Sequence, residues 1–245
     1  MTAPLLMLKL APDRPLVAAW GAERGLVGRD GDLGYTLHAL LTAAFGELAP
    51  KPFRLQERRS GGEATLYAYG SRPEAQLLEQ ARSFAEPDVF TALGLDRLRA
   101  KPMPERFTAG RRLGFEVRVR PVRRRDRAEN AGGVRERDVF LIACDRAGEG
   151  AVVRRDAVYG AWLGERLAEA GARLTMPVRL DAFRRTRVAR KDATRRLRWI
   201  EGPDAVLSGE LEVTDPDRFA ALLARGVGRH RAFGFGMLLL RPPGG

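Results

Sequence analysis

The stretch DPDRFAALLARGVGRHRAFGFGMLLL, residues 215–240, holds three elements whose order decides how the chain folds. Asp215 can cap a helix, Pro216 suits its first turn, Phe219, Leu222 and Leu223 share one face, and Gly226 can end it. GVGRHRAFGFG, residues 226–236, follows, and MLLL then reads as a strand. Familiar glycine-rich phosphate loops run from strand to helix and set the helix N-terminus against the anion. Here the order is reversed, and a helix C-terminus repels phosphate. An anion at this loop would need Arg229, Arg231 and backbone N–H groups freed by the glycines. The dinucleotide fingerprint also fails, because its third glycine position is Arg231.

Upstream, residues 179–213 read as two strands joined by a very basic hairpin near Asp192. AVYGAWLGERLAEAG, residues 157–171, is an amphipathic helix, and LGFEVRVRPV, residues 113–122, is a strand whose arginines alternate with apolar residues. The first half has the same order. Leu5 to Leu10 is a short strand, and DLGYTLHALLTAAFG, residues 32–46, is a helix with Asp32 as cap and Gly46 as stop. At about 100° per residue, Leu33, Leu37, Leu40, Leu41 and Ala44 form its core stripe. Tyr35 and His38 fall at or beyond the stripe's edge, one turn apart. PFRLQE and ATLYAYG alternate as strands around the turn RRSGGE, and a helix from about Pro73 to Ala85 follows. KPMPERFTAG, residues 101–110, reads as a domain connection.

Strand, helix, strand, strand, helix, strand, twice over, predicts an α+β chain of two tandem ferredoxin-like (βαββαβ) domains, residues 1–108 and 109–245. Residues 123–150 form an insertion with a short apolar core of its own, half loop and half helix. The length suits two small domains. No apolar run approaches the roughly 20 residues that span a bilayer, and no basic flank precedes a long apolar run at the N-terminus. A soluble, cytoplasmic protein with no membrane contact is therefore expected. Cys144 is the single cysteine and His38 and His230 the only histidines, so neither a disulfide nor a zinc site is expected.

The net charge is +12. Residues 111–200 hold 24 Lys and Arg against 12 Asp and Glu, while the remainder has 19 of each. The excess is one local field, which favours a polyanionic partner. Of the 43 basic residues 39 are arginine, the better phosphate and base-edge ligand, although codon bias alone can favour Arg over Lys.

A glycine loop between the last helix and last strand of a second ferredoxin-like domain, in a basic protein, resembles that of the repeat-associated RNA-binding superfamily of CRISPR systems. More narrowly, the chain resembles the CasE family of CRISPR repeat-processing endoribonucleases. The pattern G-x-G-x-x-[KR]-x-x-G-x-G-L/M-L appears as Gly226, Gly228, Arg231, Gly234, Gly236, Met237 and Leu238. A Tyr-x-x-His stands on the first-domain helix as Tyr35 and His38, and the second domain carries the basic strand-hairpin-strand.

The resemblance implies metal- and cofactor-free cleavage of precursor CRISPR RNA at the base of the repeat stem-loop. A ribose 2′-hydroxyl attacks the adjacent phosphate, leaving a 2′,3′-cyclic phosphate. His38 is the implied proton-transfer group, as base or acid, with Tyr35 assisting. Arg184, Arg185, Arg187, Arg190, Lys191, Arg195 and Arg196 of the hairpin would meet the RNA, with Arg185, Arg187 and Lys191 on one face and Arg184 and Arg190 on the other. Gly226, Gly228, Gly234 and Gly236 would let the loop backbone approach the strand, with Arg229, His230 and Arg231 touching it. The product would be retained with other subunits of a CRISPR surveillance complex. Two other classes stay open: a non-catalytic RNA-binding subunit of such a complex, and an unrelated binder of structured RNA.

Overall fold

The computed structural model describes residues 4–28, 30–57, 63–124, 136–191 and 197–244, with residues 190, 191 and 197 described by their backbone alone. In the N-terminal half, β1 (Leu6–Leu10), β2 (Phe53–Gln56), β3 (Thr65–Gly70) and β4 (Arg99–Pro102) form an antiparallel sheet in the order β2-β3-β1-β4. Leu8 of β1 faces Ala68 of β3 and Ala100 of β4. This is the ferredoxin-like strand order, with the first strand central and the last at an edge. The edge explains β4, which includes part of the stretch expected as a connection: Pro102 lacks an N–H and is tolerated where only one neighbour pairs.

Four helices cover one face of this sheet: α1 (Arg14–Glu23), α2 (Gly34–Phe45), α3 (Glu74–Phe84) and α4 (Pro87–Leu93). The sequence reading lacked α1 and α4. Asp13 caps α1 by accepting from the Leu16 N–H at 3.0 Å. The helix buries Val17, Trp20 and Gly21. Leu8, Leu10, Leu37, Leu40, Leu41, Phe45, Leu66 and Leu93 form the core beneath the helices.

The C-terminal half contains β5 (Arg112–Val119), β6 (Val122–Arg124), β7 (Glu136–Asp138), α5 (Val139–Ala147), α6 (Arg155–Ala168), β8 (Ala172–Leu174), β9 (Arg179–Lys191), β10 (Leu197–Val213), α7 (Pro216–Arg225) and β11 (Leu238–Arg241). Its sheet runs β11-β5-β10-β8, with β9 also on β10. The expected second strand is thus split: β8 pairs with Leu211 to Val213, and β9 with Leu197 to Ser208 of β10. Because β5 meets β10 only from Ala205 to Glu212, residues 197–204 pair with β9 alone and form a two-stranded arm, packed on one side against Arg120 and Asp30. In the insertion, β6 and β7 make a small ribbon leading into α5, and residues 125–135 lie outside the described residues.

Asp215 caps α7 as expected, accepting from the Asp217 and Arg218 N–H groups at 3.1 Å. Phe219, Leu222 and Leu223 are buried beneath it, each contributing about 1.5–3 kcal/mol by removal from water. The second core also takes in Tyr69, Met7 and Tyr67 from the N-terminal sheet, so the two halves pack against each other. The buried Tyr69 hydroxyl donates to the Leu238 carbonyl at 2.9 Å and joins the two sheets directly. Among the described residues no helix is long and apolar enough to cross a membrane.

Candidate active site

The glycine loop lies on the first turn of α2. A Cβ at Gly34 would come within 2.3 Å of the Phe233 carbonyl oxygen, so only glycine allows this approach. Tyr35 and His38 project one turn apart with ring centroids 6.1 Å apart. The Phe233 ring contacts both, at 5.4 Å from Tyr35 and 5.3 Å from His38. Burial pushes the Tyr35 hydroxyl pKa up. Burial, and then the Lys51 ammonium, push the His38 imidazole down from 6.5, which keeps it neutral at neutral pH.

Lys51 lines an open groove with Ala224, Arg225, Gly228 and residues 229–233 of the loop. Its described lining carries Lys51, Arg225 and Arg231, together with Arg229, which is paired with Glu136, a cationic field suited to a phosphate. Arg231 removes the difficulty posed by the helix end, since its Nη1 donates to the Arg225 carbonyl of α7 at 2.9 Å and covers the negative pole.

Gly226, Gly228, Gly234 and Gly236 all have positive φ. At Gly236 a Cβ would also meet the Val227 oxygen at 2.3 Å, within a loop closed by Val227 N–H to Gly236 O at 2.8 Å. Gly226, Gly228 and Gly234 face Pro52, Trp162 and Phe53. At each of these positions the side a Cβ would occupy is filled by protein, while Gly228 also lines the open groove. His230 also lines the groove, with its side chain only 5% exposed. Its Nε2 lies 2.7 Å from Glu136 Oε2, and Arg229 Nε donates to Glu136 Oε1 at 2.6 Å.

Asp32 exceeds the capping role expected of it. Oδ1 accepts from the Gly34 N–H at 2.9 Å, while Oδ2 accepts from Arg118 and, at 3.3 Å, from Arg184. Arg118 also grips Asp204 through two bonds of 2.8 and 2.6 Å, and Arg184 reaches Asp204 at 2.9 Å. Burial alone would raise the Asp204 pKa, but Arg118 and then Arg184 bring it down. This buried network ties the start of α2 to β5, β9 and β10. Because the Arg118 carbonyl accepts from the Gly236 N–H at 2.7 Å, it also ties α2 to the glycine loop. Sequence reasoning passed over Arg118, Asp204 and Glu136; the lone Asp204 inside the apolar run PDAVL was the available signal.

On the arm, Arg185 and Arg187 share a face as expected, both on Glu201 at 2.7 and 3.4 Å. Arg184 points the other way. Exposed pairs of this kind are weakened by solvent, so a phosphate can compete for Arg185 and Arg187. The side chains of Arg190 and Lys191, and all of Arg195 and Arg196, lie outside the described residues.

Residues 7–242 match the model of a family described as CRISPR associated protein. The CRISPR-associated endoribonuclease Cse3 of Thermus thermophilus is 30% identical over 149 residues, 58% of this chain. That alignment spans 61% of the relative, under two thirds of its length. A structure of CRISPR endoribonuclease Cse3 bound to 19 nt RNA superposes with a TM-score of 0.64 at 24% identity, over 98% of this chain and 100% of that one. A chain of a CRISPR RNA-guided surveillance complex superposes with a TM-score of 0.58 at 20% identity, over 97% and 99%. At these identities the structural likenesses establish the fold, two tandem ferredoxin-like units.

Proposed function

We infer the function from the premise that this chain belongs to the CRISPR-associated protein family. It is a metal-independent endoribonuclease that cuts precursor CRISPR RNA at the base of the repeat stem-loop. It then stays on the product as a subunit of the surveillance complex.

The observation that carries this reading is a partly buried imidazole, His38, beside a phenol and near a groove of cations. His38 takes the proton of the ribose 2′-hydroxyl as that oxygen forms its bond to phosphorus. The bond from phosphorus to the 5′-oxygen breaks, the 5′-oxygen gains a proton, and a 2′,3′-cyclic phosphate and a 5′-hydroxyl remain. Tyr35 donates to a phosphate oxygen, and Lys51 and Arg231 stabilise the negative charge that builds on the phosphorane. The arm approaches the A-form stem with Arg185 and Arg187, where shape and charge supply much of the affinity.

The test is single-turnover cleavage of repeat RNA from the same genome, in EDTA, from about pH 5 to 8.5. A base acting as free imidazole makes the rate rise with pH and level off, with an apparent pKa below 6.5 because the His38 pKa is lowered. Tight binding without a cut would turn the reading to a non-catalytic RNA-binding subunit. A rate that falls with pH across the same range would make the imidazolium the reacting form.

A further inference from the structure

We propose that the insertion between β5 and α6 braces the reacting pair: Glu136 holds His230 and, through it, Phe233, so that the glycine loop is fixed against Tyr35 and His38. The effect on cleavage rests on the function proposed above; the bracing itself does not.

His230 has a φ of 60°, and among the described residues it is the one non-glycine with positive φ. Side chains seldom adopt this region unless their surroundings enforce it. Here the enforcement is visible. Glu136 places one carboxylate oxygen 2.7 Å from His230 Nε2 and the other 2.6 Å from Arg229 Nε. The Glu136 and His230 side chains are 8% and 5% exposed, so water does little to screen the contact. Burial alone would raise the Glu136 pKa, but His230 and then Arg229 hold it at about 2, and the carboxylate stays ionised.

The chain of contacts continues to the site. His230 opens a tight turn in which the Phe233 N–H returns to the His230 carbonyl at 2.8 Å. The two rings lie 6.2 Å apart, and Phe233 is the ring that touches both Tyr35 and His38.

The base of the brace is firm. Two residues after Glu136, Asp138 accepts from the Phe140 N–H at 2.8 Å and from the Tyr159 hydroxyl of α6 at 3.0 Å, while the Val139 N–H donates to the Pro121 carbonyl at 3.0 Å. Glu136 therefore stands on a ribbon fastened to the second core. It acts as a positioning residue through His230, with no direct contact to the reacting atoms.

The test uses Glu136→Gln, which keeps the volume and removes the charge, and His230→Gly, which permits the backbone and removes the ring. In the free protein, Glu136→Gln should speed amide exchange of residues 227–236 by about tenfold or more, leaving β10 unchanged. Single-turnover cleavage at saturating protein should fall about tenfold, with the Kd for repeat RNA within about threefold, because small misplacements of reacting groups cost rate before affinity. The double variant should lose no more than the larger single one, as expected for two parts of one device.

Unchanged exchange and rate in Glu136→Gln would overturn the proposal, as would losses that multiply in the double variant. Weaker RNA binding in step with the rate would make these residues RNA ligands, and tighter binding would make Glu136 a mask over Arg229; either result also overturns it. If the wild type cuts no repeat RNA, the proposed function fails and the exchange measurement alone decides the brace.

Discussion

His38→Ala should slow single-turnover cleavage of repeat RNA by about 10²- to 10⁴-fold, the usual contribution of one positioned proton-transfer group. The Kd for the same RNA should stay within about threefold. The two effects separate because the arm arginines stand on β9, whereas His38 sits on α2 under Phe233. The substitution leaves the loop in place, since Phe233 keeps its contact with Tyr35 at 5.4 Å and its carbonyl over Gly34. An unaffected rate would move the proton transfer to another group. A parallel loss of binding would make His38 a ligand for the RNA.

Arg118→Ala should cost about 3–5 kcal/mol of stability, the usual penalty for removing one partner of a buried ion pair. Arg118 is 7% exposed, and without it Asp32 and Asp204 remain buried, with the half-exposed Arg184 still bonded to them and Arg120 and Arg54 acting from further off. Lysine should rescue poorly, because an ammonium cannot grip Asp204 through two parallel bonds while reaching Asp32. Arg184→Ala, at the solvent edge of the same cluster, should cost about 1 kcal/mol or less. Urea denaturation of the three variants provides the comparison. A loss below about 1 kcal/mol for Arg118→Ala would mean that solvent screens the network.

The fold was legible where a pattern is long and its ends are marked. The leucine stripe of α2, the Asp215-Pro216 start of α7 and the alternating arginines of β9 each carry a local signal. From their order came both ferredoxin-like units. Helices α1 and α4, each burying three residues, were missed where the surrounding sequence reads as Gly-, Pro- and charge-rich. Strand β4 was hidden by prolines that an edge strand tolerates. The site divides in the same way. Tyr35 and His38 lie one turn apart on a single helix, so their proximity is a local fact, and the family pattern gave it meaning. Phe233 reaches them only because the loop closes over Gly34 in three dimensions. Asp32, Arg118 and Asp204 meet across separations of 86 residues, and Glu136 meets His230 across 94. No periodicity relates residues that far apart.

The proposed reaction uses the substrate's own 2′-hydroxyl as the attacking group. It is tested most directly by repeat RNA carrying a single 2′-deoxy nucleotide on the 5′ side of the scissile phosphate, incubated with wild-type protein in EDTA. We expect binding as tight as for the all-ribose RNA and no cut at that position, while the all-ribose RNA is cleaved to a 2′,3′-cyclic phosphate. Cleavage of the deoxy substrate at the same site and rate would contradict the account, because the attacking oxygen would then have to come from elsewhere.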